Sequence, residues 1–147
     1  MVANGYAQDS ASIVGKWKVV SVTSDQFFSD VKNDTIIVSN EVKRLYPNSV
    51  GMQNEIASIR TMHSYKIFVF TNKNEFFEFI SAKSEVKLFS GTYTIYDENK
   101  MTLNVENLAK IKLKKQASFN LQDNLLHLTM HLETNSPIKY VLEKVEN

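Results

Sequence analysis

The residues best suited to chemistry in this 147-residue chain are its three histidines and its paired carboxylates. His127 and His131 share one face of a predicted strand, but four residues of extended chain separate them by about 13 Å, too far to ligate one metal. His63 lies near the end of a predicted helix, where the helix dipole favours a cationic ring. Glu75 and Glu78 project to opposite faces of another strand, so they do not form an acid and base pair.

The sequence also lacks the motifs that mark many enzymes and nucleotide-binding proteins. It contains no G-x-S-x-G nucleophile motif and no H-E-x-x-H zinc motif. Its four glycines (Gly5, Gly15, Gly51 and Gly91) are not spaced for a dinucleotide-binding or phosphate-binding loop. The absence of cysteine excludes disulfides and thiol nucleophiles. We therefore predict a protein that is not an enzyme and that uses no cofactor and no metal.

The charge balance argues against a nucleic-acid partner. Seventeen basic and sixteen acidic residues give a formal net charge of +1, which creates no overall field toward nucleic acid or an anionic membrane. Lys110, Lys112 and Lys114 line one strand face, with Lys115 beside them. That stripe could bind an anion, but the lack of interleaved aromatic residues favours a solvated strand face. No apolar run approaches the ~18 residues of a transmembrane helix.

Strands joined by short polar turns are the elements that would position a binding site. Alternating hydrophobicity predicts eight of them, at residues 13–24, 65–70, 75–80, 87–96, 101–105, 108–121, 125–132 and 138–145. Sequential hairpins favour an antiparallel meander, and a meander this long tends to close because closure removes exposed edges. The predicted fold is mainly β, an antiparallel barrel of about eight strands.

Residues 25–63 break the strand pattern and predict a helical insertion between the first and second strands. Asn48 or Ser49 could cap a helix over 49–62, which has apolar residues near the helical period. Asp34 could cap another helix over 34–46. The β-branched run over 35–38 could equally be extended.

Gly15-Lys16-Trp17 on the first strand, followed by a meander, resembles the lipocalin and fatty-acid-binding superfamily. The later segments GTYTIY, MTLNV, LLHLTMHL and IKYVLEKV are similar to bacterial lipocalin-like domains of exported proteins, so the resemblance covers residues 13–145. It implies that Trp17 plugs the closed end of the barrel. It also implies that a basic side chain from the last strands, here Lys139 or Lys144, packs across this tryptophan, and that the helical insertion covers the barrel mouth.

The inward-facing residues predict a small binding cavity. If Trp17 points inward, strand parity places Val19 and Ser21 inside as well. The predicted ligand-binding residues are Trp17, Val19, Ser21, Tyr93, Ile95, Leu128 and Met130. Tyr93 and Ser21 would supply the polar groups that orient a guest. We therefore expect non-catalytic binding of a small hydrophobic or amphipathic ligand in the barrel cavity.

The alternative is a protein-interaction or scaffold module with a filled barrel. Both faces of the second and third predicted strands are apolar: Ile67 and Val69 oppose Phe68 and Phe70, for example. Such strands must be covered on the outside as well, either by the 25–63 insertion or by a second subunit in a homodimer.

The chain is expected to be one domain, residues 13–147, after a disordered N-terminus, residues 1–12. This N-terminus lacks the basic and apolar regions of an intact signal peptide. Gly5-Tyr6-Ala7 nevertheless has small residues at the spacing of a signal-peptidase site. We therefore expect a signal-peptide remnant and an exported protein, periplasmic or on the cell surface.

Overall fold

The computed structural model describes residues 13–81, 84–131 and 136–146, so the predicted N-terminal segment 1–12 and Leu132 lie outside the described residues. Within those ranges ten antiparallel strands form a single sheet. The strands are β1 (Gly15–Thr23), β2 (Phe27–Asp30), β3 (Thr35–Val38), β4 (Lys66–Phe70), β5 (Glu75–Ser81), β6 (Glu85–Asp97), β7 (Lys100–Asn107), β8 (Lys112–Gln122), β9 (Leu125–His131) and β10 (Ile138–Lys144). Two helices, α1 (Asn40–Leu45) and α2 (Ser49–Ile59), precede β4, and α2 continues into a π-helical turn (Arg60–Ser64).

Eight of these strands, β1 and β4 to β10, close into a barrel because β1 pairs with β4 on one side and with β10 on the other. The predicted eight-stranded antiparallel barrel is therefore confirmed. The turns 71–74, 98–99 and 123–124 lie at the same end as Trp17, which we name the closed end. The turns 24–26 and 108–111 and the π-helical turn lie at the opposite end, which we name the capped end.

The predicted insertion between the first and second barrel strands is present, but it begins as a β-hairpin. β2 and β3 pair with each other, and β2 continues the sheet beside the second half of β1. The β-branched residues of β3 favour this extended form, so the helix expected over 34–46 starts only at Asn40. The Ser39 hydroxyl accepts a hydrogen bond from the Val42 amide and caps that helix. The second expected helix is confirmed as α2, capped by the Asn48 side chain.

Ser21 was expected to point into the barrel, but a β-bulge in β1 changes the direction of its side chain. Between Val19 and Ser21 the register with β10 shifts by one residue, so the alternation of side chains reverses there. Val22 is fully buried, whereas Ser21 is half-buried and pairs with Asp30 of β2. Ser21 therefore leaves the buried face that carries Trp17 and Val19.

The outer face of β4 and β5 is only partly exposed, and a lysine of the barrel lies over one of its rings. Ile67, Val69, Phe77 and Phe79 are half-buried on this face, and the Lys87 ammonium lies 5.6 Å from the ring centre of Phe77. Farther along, Lys16 of β1 forms a 3.6 Å ion pair with Glu85 of β6, and this pair bridges two strands that lie on opposite sides of β4 and β5 in the sheet. Long lysine stems can cover apolar surface while their charges stay in water.

The insertion meets the barrel at the capped end, where its π-helical turn contacts β1, β2, β4 and β5. No helix within the described ranges is long and apolar enough to cross a bilayer.

Candidate binding site

Tightly packed aromatic residues fill the closed end of the barrel. Trp17 is 2% exposed, and its indole N–H donates a 2.8 Å hydrogen bond to the backbone oxygen of Ile13. Phe70 and Tyr93 meet edge to face with ring centres 5.1 Å apart. The Tyr93 hydroxyl donates a 2.9 Å hydrogen bond to the backbone oxygen of Thr71 in the neighbouring turn. The polar groups of this end are thus used within the fold, as buried Trp and Tyr require.

Lys144 provides the basic side chain expected across the tryptophan. Its ammonium lies 5.7 Å from the Trp17 ring, within the range of a cation–π interaction. Gly15 makes this approach feasible, because a Cβ atom at that position would lie 2.5 Å from the Lys144 side chain. Gly15 also has φ of 147°, a conformation that other residues rarely adopt. The glycine and the tryptophan of the Gly15-Lys16-Trp17 motif therefore act together with the last strand.

The capped end differs because it contains a buried ion pair. Lys66 and Glu78 are 8% and 3% exposed, and their charged atoms lie 3.0 Å apart. Burial by itself lowers the pKa of Lys66, but the Glu78 carboxylate and the Tyr140 oxygen outweigh burial and raise it above its ordinary value. An ion pair removed from water adds little net stability. Its presence inside a barrel therefore points to a role other than packing.

Two aromatic side chains extend the ion pair toward the insertion. The Lys66 ammonium donates a 3.3 Å hydrogen bond to the Tyr140 hydroxyl, which lies 3.2 Å from Nδ1 of His63. Burial, with a smaller contribution from Lys66, lowers the pKa of His63 to about 4, so its ring is neutral at pH 7. Burial, reinforced by Glu78, raises the pKa of Tyr140. We refer to Lys66, Glu78, Tyr140 and His63 as the polar cluster.

Lys115 adds a second cation beside the polar cluster. Its ammonium lies 3.7 Å from the ring centre of Phe89. Burial, with a smaller contribution from Lys66, lowers its pKa, and Glu78 opposes this shift. Among the described residues no carboxylate lies within 4.0 Å of this ammonium. Two ammonium groups therefore face one carboxylate at this end of the barrel.

His63 separates the polar cluster from a small hollow in the insertion. The hollow has a volume of about 110 Å³ and is lined by Gln26, Phe27, Val42, Glu55, Ser58, Ile59, Met62 and His63. The His63 and Phe27 ring centres are 5.0 Å apart, so the imidazole is held between the insertion and Tyr140. A hydrogen bond of 2.7 Å between the Ser29 and Ser64 hydroxyls ties the π-helical turn to β2.

The predicted site residues are mostly parts of the packed interior. Six of them lie in the interior: five are buried (Trp17, Val19, Tyr93, Leu128 and Met130) and Ile95 is half-buried.

The polar cluster was not predicted from the sequence, although the sequence contains a signal for it. Lys66 shares strand parity with Phe68 and Phe70, and Glu78 shares it with Phe76 and Ile80, so each is a charge on an otherwise apolar face. His131 binds the Ser118 hydroxyl at 2.9 Å, and no group of three metal-ligating side chains occurs in the described part of the chain.

Two solved structures are similar to this fold along nearly the whole chain. A lipocalin-like protein from Bacteroides uniformis ATCC 8492 has 11% sequence identity and a TM-score of 0.50, with 91% of this chain and 99% of that chain covered. An uncharacterized protein from Bacteroides eggerthii DSM 20697 has 14% identity and a TM-score of 0.48, over 90% and 98% of the two chains. No family model matches the sequence, and no curated protein matches it. The fold is lipocalin-like, as the resemblance implied.

Proposed function

We propose that this lipocalin-like barrel binds one small amphipathic molecule, without catalysis, at its capped end. The observation that carries the proposal is the polar cluster beneath the insertion, with Lys115 beside it and without an ion-pair partner of its own among the described residues. Perturbed titratable groups gathered in one place are a recurrent property of binding sites.

The charge of this region favours a guest with an anionic head. Lys66 and Lys115 carry two positive charges, Glu78 carries one negative charge, and His63 is neutral at pH 7 because its pKa is about 4. A carboxylate head would pair with Lys115 and accept hydrogen bonds in a region of low dielectric constant. The apolar part of the guest would gain about 0.8 kcal/mol for each methylene removed from water.

The hollow above His63 is too small for such a guest in the present conformation. Its volume of about 110 Å³ is well below the roughly 300 Å³ at which ligand pockets begin. Binding therefore requires the π-helical turn to move, so that the hollow and the polar cluster become one cavity. A ligand that prefers this open state would shift the population toward it.

Binding of palmitate and of hexadecanol tests the proposed head group, since the two share a chain and differ in charge. We expect palmitate to bind at least about tenfold more tightly, and Lys115→Met to remove most of that preference. Lys100→Met, an exposed lysine outside the capped end, is the matched control and should preserve it. Binding of neither probe, or an unchanged preference in Lys115→Met, would contradict the proposal. Mass spectrometry of an organic extract of the purified protein looks for a retained guest.

A reversible lock on the insertion tests the proposed movement. The Ser29 and Ser64 hydroxyls are 2.7 Å apart, and the chain has no cysteine, so S29C/S64C offers one disulfide and no competing pair. The oxidised variant should bind palmitate at least about tenfold more slowly, and reduction should restore the rate. Equal rates in both redox states would show that the guest enters by another route.

A further inference from the structure

We propose that the tip of the β7–β8 hairpin docks the protein on an anionic lipid bilayer. This inference goes beyond ligand binding and rests on the turn 108–111 with the first residues of β8. Three aliphatic side chains project there into solvent: Leu108 is 68% exposed, Ile111 55% and Leu113 38%. Exposed apolar side chains concentrated on one projecting turn are typical of an interaction surface.

Lysines surround this apolar tip. Residues 106–114 contain three lysines and one glutamate, a formal charge of +2, whereas the whole chain carries +1 and the remainder therefore −1. Lys110, Lys112 and Lys114 are all exposed and alternate with the apolar residues. Basic side chains near an anionic leaflet each strengthen binding, while adjacent apolar groups enter the headgroup region.

The turn is held in a fixed shape before any partner arrives. The Asn107 side chain accepts hydrogen bonds from the Ala109 and Ile111 amides at 2.9 and 3.0 Å. The Asn107 backbone oxygen accepts a further bond from Lys110 at 3.0 Å, and Lys110 adopts a positive φ of 64°. Because the tip is preorganised, Leu108 and the lysines can meet a surface with little additional ordering cost.

A groove of about 540 Å³ begins beside the tip and crosses β6, β7 and β8. It is lined by Ser90, Gly91, Asn104, Val105, Glu106, Lys112, Leu113 and Lys114. Two lysines and an asparagine amide can bind the phosphate of a lipid headgroup, and the single carboxylate leaves the groove net positive. Aliphatic rather than aromatic residues at the tip favour a bilayer over single-stranded nucleic acid, which requires stacking platforms.

Cosedimentation with vesicles tests the docking directly, using the full chain after removal of any bound lipid. We expect binding to phosphatidylcholine vesicles that contain phosphatidylglycerol, little binding to phosphatidylcholine alone, and weaker binding as salt is added. Lys110→Glu with Lys112→Glu should reduce affinity by at least about tenfold. Lys73→Glu with Lys100→Glu makes the same charge change at the closed end and should reduce it by less than about threefold.

Leu108→Asn keeps the charge and tests the apolar contribution. It should weaken vesicle binding about threefold or more while leaving the melting temperature unchanged, because Leu108 is solvent-exposed. Equal losses in the two charge variants, no vesicle binding by the parent protein, or DNA binding as tight as vesicle binding would each overturn the proposal. The vesicle experiment and the palmitate experiment can fail separately, because palmitate affinity is measured without vesicles.

Discussion

The two ends of the barrel use buried polar groups in opposite ways. At the closed end, Trp17 and Tyr93 each direct their polar atom to a backbone oxygen close by, so each group stabilises the fold locally. At the capped end, Lys66 and Glu78 satisfy one another inside the barrel, and Tyr140 connects them to His63 of the insertion. The closed end resembles a packed core, whereas the capped end joins charged groups of the barrel to a turn of the insertion.

The contrast suggests that the residues that stabilise the barrel and the residues proposed to bind a ligand lie at different ends. Aromatic packing at the closed end needs no mobile partner, because strands on all sides surround it. The polar cluster includes His63 from the π-helical turn after α2. The hydrogen bond between the Ser29 and Ser64 hydroxyls ties that turn to β2. Loss of a closed-end contact should therefore reduce stability alone, while changes at the capped end should separate stability from ligand binding.

The largest effect is expected from Trp17→Ala at the closed end. Removing a buried indole leaves a cavity and a lost hydrogen bond, so the free energy of unfolding should fall by about 4 kcal/mol. Urea unfolding followed by circular dichroism measures the change. A loss below about 1 kcal/mol would mean that this end is not the packed core described above.

Lys66→Met at the capped end should cost about 3 kcal/mol, because it leaves the Glu78 carboxylate buried without its partner. The double variant Lys66→Met with Glu78→Leu should recover to within about 1 kcal/mol of the parent protein. Palmitate binding should not recover, since the polar cluster is then absent. If binding returned together with stability, the ion pair would have no part in the site.

Lowering the pH should reduce the free energy of unfolding, because the buried ring of His63 resists protonation in the folded protein. Burial lowers the pKa of this ring to about 4, so between pH 6.5 and pH 4 the unfolded chain takes up a proton that the folded protein does not. The free energy of unfolding therefore falls as the pH falls through this window, by on the order of 2 kcal/mol after allowance for partial exposure. His63→Gln should lose this part of the pH dependence. An identical pH profile for parent and variant would contradict the assignment.

The smallest effect is expected from Lys144→Met. An exposed ammonium over an indole contributes about 0.5 to 1 kcal/mol, so stability should fall by that amount. Tryptophan fluorescence, reporting on the single Trp17, should change as well. Lys139→Met on the same strand is the control, and a similar loss there would show that the effect is not specific to the indole.

The sequence predicted the barrel because its signals are local. Alternation along strands such as β4, β5 and β9 is visible in any six-residue window, and short polar turns indicate hairpins between them. The resemblance directed Trp17 inward, and alternation from it placed Val19 in the interior, where both are buried. Alternation along β9 likewise placed Leu128 and Met130 on the buried face. Helix α2 was also predicted, since a capping residue and an apolar period lie within one short segment.

Tertiary structure decided the candidate site, because its members come from distant parts of the chain. Tyr140 is separated in sequence from Lys66 by 74 residues and from His63 by 77, so no local pattern encodes these contacts. The bulge that removes Ser21 from the interior is likewise set by its pairing with β10, 120 positions away. Side-chain alternation is a property of one strand, and it determined which residues are buried. Which buried charges meet is a property of the closed sheet, whose register is fixed by packing among all its strands.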